Sequence, residues 1–190
     1  INATDVRRLL DELLGTDSSL DQLRAEIEAR AEGRPLYFEE VVRELVDRGV
    51  LSGEVGNRRV AKPDAPIPIP ESVQAVIGAR IDRLEPDHKR LLQVAAVIGR
   101  TVPQELLARA AAIPEGALRM GLAALQDAEF LFLIQSFPAP EYLFKHALIE
   151  TVAYESLLRR RRCAIHEAVL RALETQHEGR LEEHVALLAH

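Results

Sequence analysis

Phe130-Leu131-Phe132-Leu133-Ile134-Gln135 is a short, uncharged apolar run of strand type, and Glu141-Tyr142-Leu143-Phe144-Lys145 alternates like a strand returning beside it. Between them, Ser136-Phe137-Pro138-Ala139-Pro140 is a turn with two prolines. Upstream, the apolar spacing changes to the helical period. Val73, Val76, Ile77, Ile81 and Leu84 predict a helix near 71–84, and Leu91, Leu92, Val94, Ala95 and Ile98 one near 86–98. Pro86 suits a first helical turn and Gly99 a stop. Two more helices are expected near 103–111 and 114–127, each opening at a proline.

Helix, helix, strand, turn, strand is the order of a winged helix, a variant of the helix-turn-helix, and places such a domain at about 70–158. Before it, Lys62 to Pro70 contains Pro63, Pro66, Pro68 and Pro70, which no helix interior tolerates. With the small hairpin expected around Gly56-Asn57, residues 50–69 read as hairpin and linker. Residues 1–49 read as a bundle of three short helices. Their apolar faces are Val6, Leu9, Leu10, Leu13 and Leu14, then Leu20, Leu23 and Ile27, then Leu36 to Val46, with breaks at Gly15, at Gly33-Arg34-Pro35 and at Gly49. Residues 159–190 are helical again and read as the start of helical repeats, ending on Leu181, Val185, Leu187 and Leu188. The expected fold is mainly α: a small helical bundle, a winged-helix domain and a helical C-terminal segment.

Composition removes several function classes. The 190 residues hold 24 Lys+Arg and 30 Asp+Glu, a net charge of −6, which does not favour polyanions as partners. Aromatic content is 4% with no Trp, which leaves little to build a stacking platform for single-stranded nucleic acid. Cys163 is the single cysteine, so neither an internal disulfide nor a cysteine zinc cluster can form. No apolar run is long enough for a membrane span and no signal peptide is visible, so a cytoplasmic location without a membrane partner is expected.

Catalytic motifs are missing. There is no Gly-x-x-x-x-Gly-Lys-Ser/Thr loop and no Gly-x-Gly-x-x-Gly, so this stretch of chain lacks the backbone cradle that nucleotide hydrolysis needs. His88, His146, His166, His177, His184 and His190 include no His-Glu-x-x-His pair, and no metal site is expected. Cys163 follows Arg159 to Arg162, whose charge could activate a thiol, but it reads more simply as a small helix residue. The arginine run itself could meet phosphates, or it could be a solvated helix face paired with Glu155 or Glu167; the second is preferred. The helix in the recognition position carries Glu115, Arg119 and Asp127, followed by Glu129, and the Ser136–Pro140 turn carries no cation. DNA is therefore an unlikely partner.

Four segments in order resemble one family. Glu32-Gly33-Arg34-Pro35-Leu36-Tyr37-Phe38-Glu39-Glu40-Val41-Val42-Arg43-Glu44-Leu45 is similar to the "EGNPFFLEEIVRxL" segment of STAND-class ATPases, the AAA+-like NTPases of signal transduction. Val73 to Leu84 resembles "VQAVLAARIDRL", Leu91 to Gly99 resembles "LLQxAAVIG", and Phe144 to Tyr154 resembles "FKHALxxEVAY". The segments are similar to those of large bacterial proteins with a class III adenylate/guanylate cyclase domain ahead of the ATPase and tetratricopeptide-like (TPR) repeats behind.

The resemblance implies that 1–49 is the helical lid that follows a nucleotide-binding core, 70–158 the winged helix and 159–190 the first repeat helices. It implies that Gly33 and Pro35 sit against the adenine or ribose, and that His146 contacts the β-phosphate of ADP in a closed state. ATP or ADP with Mg would bind only with the absent P-loop core. Arg34 stands where Asn is common, and Ala147 follows the histidine where one branch of the class has Asp.

The expectation is a non-catalytic regulatory piece, not an enzyme by itself. It would work with the upstream core and downstream repeats of its own chain to control an effector such as a cyclase, with a protein partner or self-assembly also open. The alternatives are a DNA-binding winged-helix regulator and a helical protein-interaction scaffold.

Overall fold

A computed structural model describes residues 3–31, 34–61, 69–137 and 139–176. The chain is mainly helical and divides into two units, 1–80 and 81–190.

The first unit opens with α1 (Ala3–Leu14), a 3-10 turn (Ser18–Leu20) and α2 (Asp21–Ala31), followed by α3 (Pro35–Asp47). Asp17 starts the 3-10 turn, its carboxylate accepting the Ser19 amide at 2.9 Å. Helix α3 packs on both α1 and α2. It buries Tyr37, Phe38, Val41, Val42 and Leu45 against Leu10, Leu14, Leu20, Leu23 and Ile27. Gly49, at φ 66°, ends α3: its amide donates to Val46 and that of Val50 to Leu45, closing the last carbonyls. Strands β1 (Leu51–Glu54) and β2 (Asn57–Val60) form the hairpin, which packs back on the bundle. The linker expected over 62–68 lies outside the described residues; beyond it, α4 (Val73–Asp82) begins with Ser72 accepting the Ala75 amide at 3.2 Å. The boundary between the units falls inside α4, past the Pro70 start expected for the second domain.

The second unit runs α5 (Pro86–Ile98), β3 (Thr101–Pro103), α6 (Gln104–Ala111), α7 (Glu115–Asp127), β4 (Leu131–Gln135), β5 (Glu141–Phe144), α8 (Ala147–Glu155) and α9 (Arg159–Gln176). All three strands are antiparallel in the order β3-β5-β4. Helix α5 is the hub, touching α6, α7, α8 and α9. It buries Leu91, Leu92, Val94, Ala95 and Ala96, and its buried Gln93 donates to the Ser156 hydroxyl at 2.9 Å. Helix α9 lies on α5 and α6, adding Ile165, Val169 and Ala172 to the core. The expectation for 177–190 lies outside the described residues.

Strand β3 has no counterpart in the sequence reading. It is three residues long and ends in a proline, too short for alternation to register, and it forms because β5 offers it an edge. Among the described residues no helix is long and apolar enough to cross a membrane.

Candidate functional site

Of the three expected site residues, Gly33 lies outside the described residues. Pro35 is the first residue of α3, half-buried, where a fixed φ suits a helix start and its missing amide hydrogen costs nothing. Arg34 before it is extended and exposed; its amide donates to Ala31, and its carbonyl accepts from Tyr37. Pro35 belongs to the first unit and His146 to the second.

His146 is positioned by β5. Tyr142 and Phe144 of that strand point into the core, and the Lys145 amide donates to the Phe130 carbonyl at 3.0 Å, so the chain is held up to the residue before His146. His146 is then the N-cap of α8, extended and exposed. Its Nδ1 accepts the Leu148 amide at 3.1 Å, and its carbonyl accepts from Ile149 at 3.0 Å. An accepting Nδ1 carries no hydrogen. In the neutral ring the hydrogen is therefore on Nε2, which makes that nitrogen an outward donor beside the positive end of a helix.

The charges around it were only partly legible. Lys145 forms an ion pair with Glu129. Glu150, in the first turn of α8, is half-buried. Burial pushes its carboxyl above the usual range, and Arg100 acts in the opposite direction. Arg100 joins this neighbourhood because its carbonyl accepts the Phe144 amide at 3.4 Å, a contact that no local sequence pattern announces.

The arginine run divides into two roles. Arg162 donates to the Tyr154 and Leu157 carbonyls at 3.2 and 3.3 Å and lies 4.2 Å from the Tyr154 ring centroid, so it ties α9 to the end of α8. Arg159, Arg160 and Arg161 are exposed. The pairing expected with Glu155 or Glu167 is not found among the described residues; Glu167 pairs instead with Arg171. Cys163 is exposed on α9, and nearby His166 shares a 3.1 Å hydrogen bond with the Tyr154 hydroxyl.

Two shallow clefts occur away from His146. One, of about 290 Å³, lies between α1 and α2 around Asp11, Asp21, Arg24 and Glu28. The other, of about 280 Å³, runs beside α7 and is lined by Gln104, Glu115, Arg119, Gln126 and Tyr142 among others. Neither is lined by Pro35 or His146. No group of three or more metal-ligating side chains comes together among the described residues.

A family model described as a domain of unknown function (DUF8739) matches residues 3–59, from the start of α1 into β2. No curated protein matches the chain.

Proposed function

We propose that the chain is a non-catalytic regulatory module of a STAND-class ATPase, a lid bundle joined to a winged helix, that closes on ADP supplied by a P-loop core. The observation that carries this reading is the His146 geometry: Nδ1 is spent on the Leu148 amide, which leaves Nε2–H as an outward donor at the start of α8. Such a donor suits a terminal phosphate, and the contact ends when the domain swings away. The second unit supports a winged helix, since helix-strand-helix-helix-strand-strand with sheet order β3-β5-β4 is the arrangement such a domain requires. In this reading Gly33 and Pro35 form the turn against the adenine or ribose, Mg accompanies the nucleotide on the core, and opening releases an effector such as a cyclase.

The test uses a longer chain with a P-loop core ahead of residue 1. ADP co-purification and affinity are compared between wild type and His146→Ala. A tenfold loss corresponds to ~1.4 kcal/mol, within reach of one charge-assisted hydrogen bond. Unchanged retention would make His146 a helix cap and nothing more.

DNA binding has less support. The Ser136–Pro140 turn carries no cation, and the most exposed large apolar side chain among the described residues, Phe137, belongs to it.

A further inference from the structure

The cleft beside α7 holds two opposite charges that are not paired with each other. Glu115 and Arg119 line it, one helical turn apart on α7 with the acid ahead of the base. That spacing and order favour an ion pair along a helix. In the same unit they form one twice: Arg109 reaches Glu105 at 2.7 Å on α6, and Arg171 reaches Glu167 at 3.5 Å on α9. Glu115 and Arg119 make no ion pair or hydrogen bond with their side chains among the described residues.

Every other lining residue is neutral. Leu118 and Leu122 are buried and form an apolar floor. Gln104 of α6 and Tyr142 of β5 supply the side facing α7. Tyr142 is 7% exposed, and its hydroxyl donates to Gln104 Oε1 at 3.3 Å, long for such a donor. Burial pushes the Tyr142 hydroxyl up from its ordinary value, so it keeps its proton. The Tyr142 oxygen remains available as an acceptor and the Gln104 amide nitrogen as a donor. Gln126, about 10 Å beyond Arg119 along the helix axis, adds a second carboxamide.

We propose that this cleft binds a free α-amino acid with an uncharged, amide-bearing side chain, glutamine being the type. The ligand's carboxylate takes the Arg119 guanidinium, whose planar fork matches it with two parallel hydrogen bonds, and its ammonium takes Glu115. The zwitterion thus enters between two charges that would otherwise close on each other. Its side chain runs over Leu118 and Leu122 toward Gln104, Gln126 and Tyr142, where both the donor and the acceptor of a carboxamide find partners.

The lining also selects among amino acids. Glu115 and Arg119 satisfy the two charges that all of them share, and the cleft has no third charged residue. A glutamate or lysine side chain would bring an unmatched charge against buried leucine and tyrosine, which is costly. An apolar side chain would displace water from Gln104 and Gln126 and return no hydrogen bond. The volume, about 280 Å³, lies below the usual range of about 300–1,000 Å³ for drug-sized ligands and suits a small metabolite. This inference is independent of the nucleotide reading, since the cleft uses neither Pro35 nor His146.

The test is an amide NMR titration of the chain with L-glutamine, L-glutamate and L-methionine at fixed pH and ionic strength. Glutamine should give saturable shifts centred on α7 and Tyr142, with a Kd of about 1 mM. Glutamate should bind at least about tenfold more weakly, and methionine more weakly than glutamine. Arg119→Gln should abolish binding with an unchanged melting temperature, because Arg119 has no partner to lose among the described residues. Gln126→Leu should cancel the preference for glutamine over methionine while keeping the α-carboxylate and ammonium contacts, which separates the two ends of the site. No saturation by glutamine up to about 20 mM, equal affinity for glutamine and glutamate, or full binding by Arg119→Gln would overturn the proposal.

Discussion

Arg80 donates to Glu40 in a fully buried ion pair, with side chains 3 and 2% exposed, that joins α4 to α3 inside the first unit. Asp47 adds a second carboxylate 3.8 Å from the Arg80 Nε, and Glu44, one turn after Glu40, is also buried. Taking such charges out of water is costly, and only their mutual satisfaction offsets it. Removing one partner strands the other. Glu40→Ala or Arg80→Ala should each lose about 3–5 kcal/mol, a large share of a typical domain's stability. Glu40→Leu with Arg80→Met should lose less than either single change. Urea melts of the three variants measure this, and strictly additive losses would show that the pair is not coupled.

A steric relationship fixes the hairpin against the bundle. Gly15 has φ 89°, and a Cβ there would sit 2.3 Å from the Gly56 carbonyl oxygen. Gly15→Ala therefore meets both backbone strain and a collision with backbone, and should cost more than about 2 kcal/mol. Gly49 shares the positive φ but has nothing within 4 Å of that position. Gly49→Ala should cost only the left-handed penalty of about 1–2 kcal/mol. Equal losses at the two positions would remove the collision from the account.

Ala112 presents the opposite case. It ends α6 in the left-handed region, at φ 52°, without being glycine. Its amide closes the helix on the Ala108 and Arg109 carbonyls. Ala112→Gly removes a strain of about 1–2 kcal/mol, while the looser unfolded chain takes back about 0.4–1 kcal/mol. A net gain of about 0.5–1 kcal/mol is expected from thermal melts.

The Asp17 carboxyl is held below its ordinary value of 3.8 by hydrogen bonds to Ser19, with Arg59 adding a charge 3.5 Å away. Its folded value is depressed, so the stability it contributes is present above the unfolded value and is lost as pH falls through the folded one. Asp17→Asn keeps an acceptor for the cap but not the charge. The variant's melting temperature should consequently fall less than wild type's between about pH 4 and pH 2.

The helices of both units were legible because their boundaries are marked by Gly15, Gly49, Gly99 and prolines, and their faces by leucine and valine at helical spacing. What escaped depends on partners distant in sequence. Strand β3 exists through β5, and Arg100 reaches the His146 neighbourhood through Phe144. Arg162 fell within a run that read as a uniform solvated face, because its role is set by carbonyls at the end of α8. At the candidate site His146 was visible as a residue, whereas its tautomer follows only from the Leu148 amide.

That amide lets the two roles of His146 be separated. As a cap, it needs only an acceptor at Nδ1; as a phosphate ligand, it needs a hydrogen on Nε2. His146→Asp supplies a strong cap acceptor and no outward donor, and its charge repels an anion. His146→Ala supplies neither. In the chain alone, His146→Ala should lose about 1 kcal/mol and His146→Asp almost nothing. In the longer chain with a P-loop core, both should lose ADP by at least about tenfold, ~1.4 kcal/mol, with the aspartate variant the weaker binder. Nitrogen-15 NMR of the imidazole should find the hydrogen on Nε2. If ADP retention followed stability, falling for alanine and holding for aspartate, His146 would act on nucleotide only through the integrity of α8. If retention fell for both, the donor itself would be the contact.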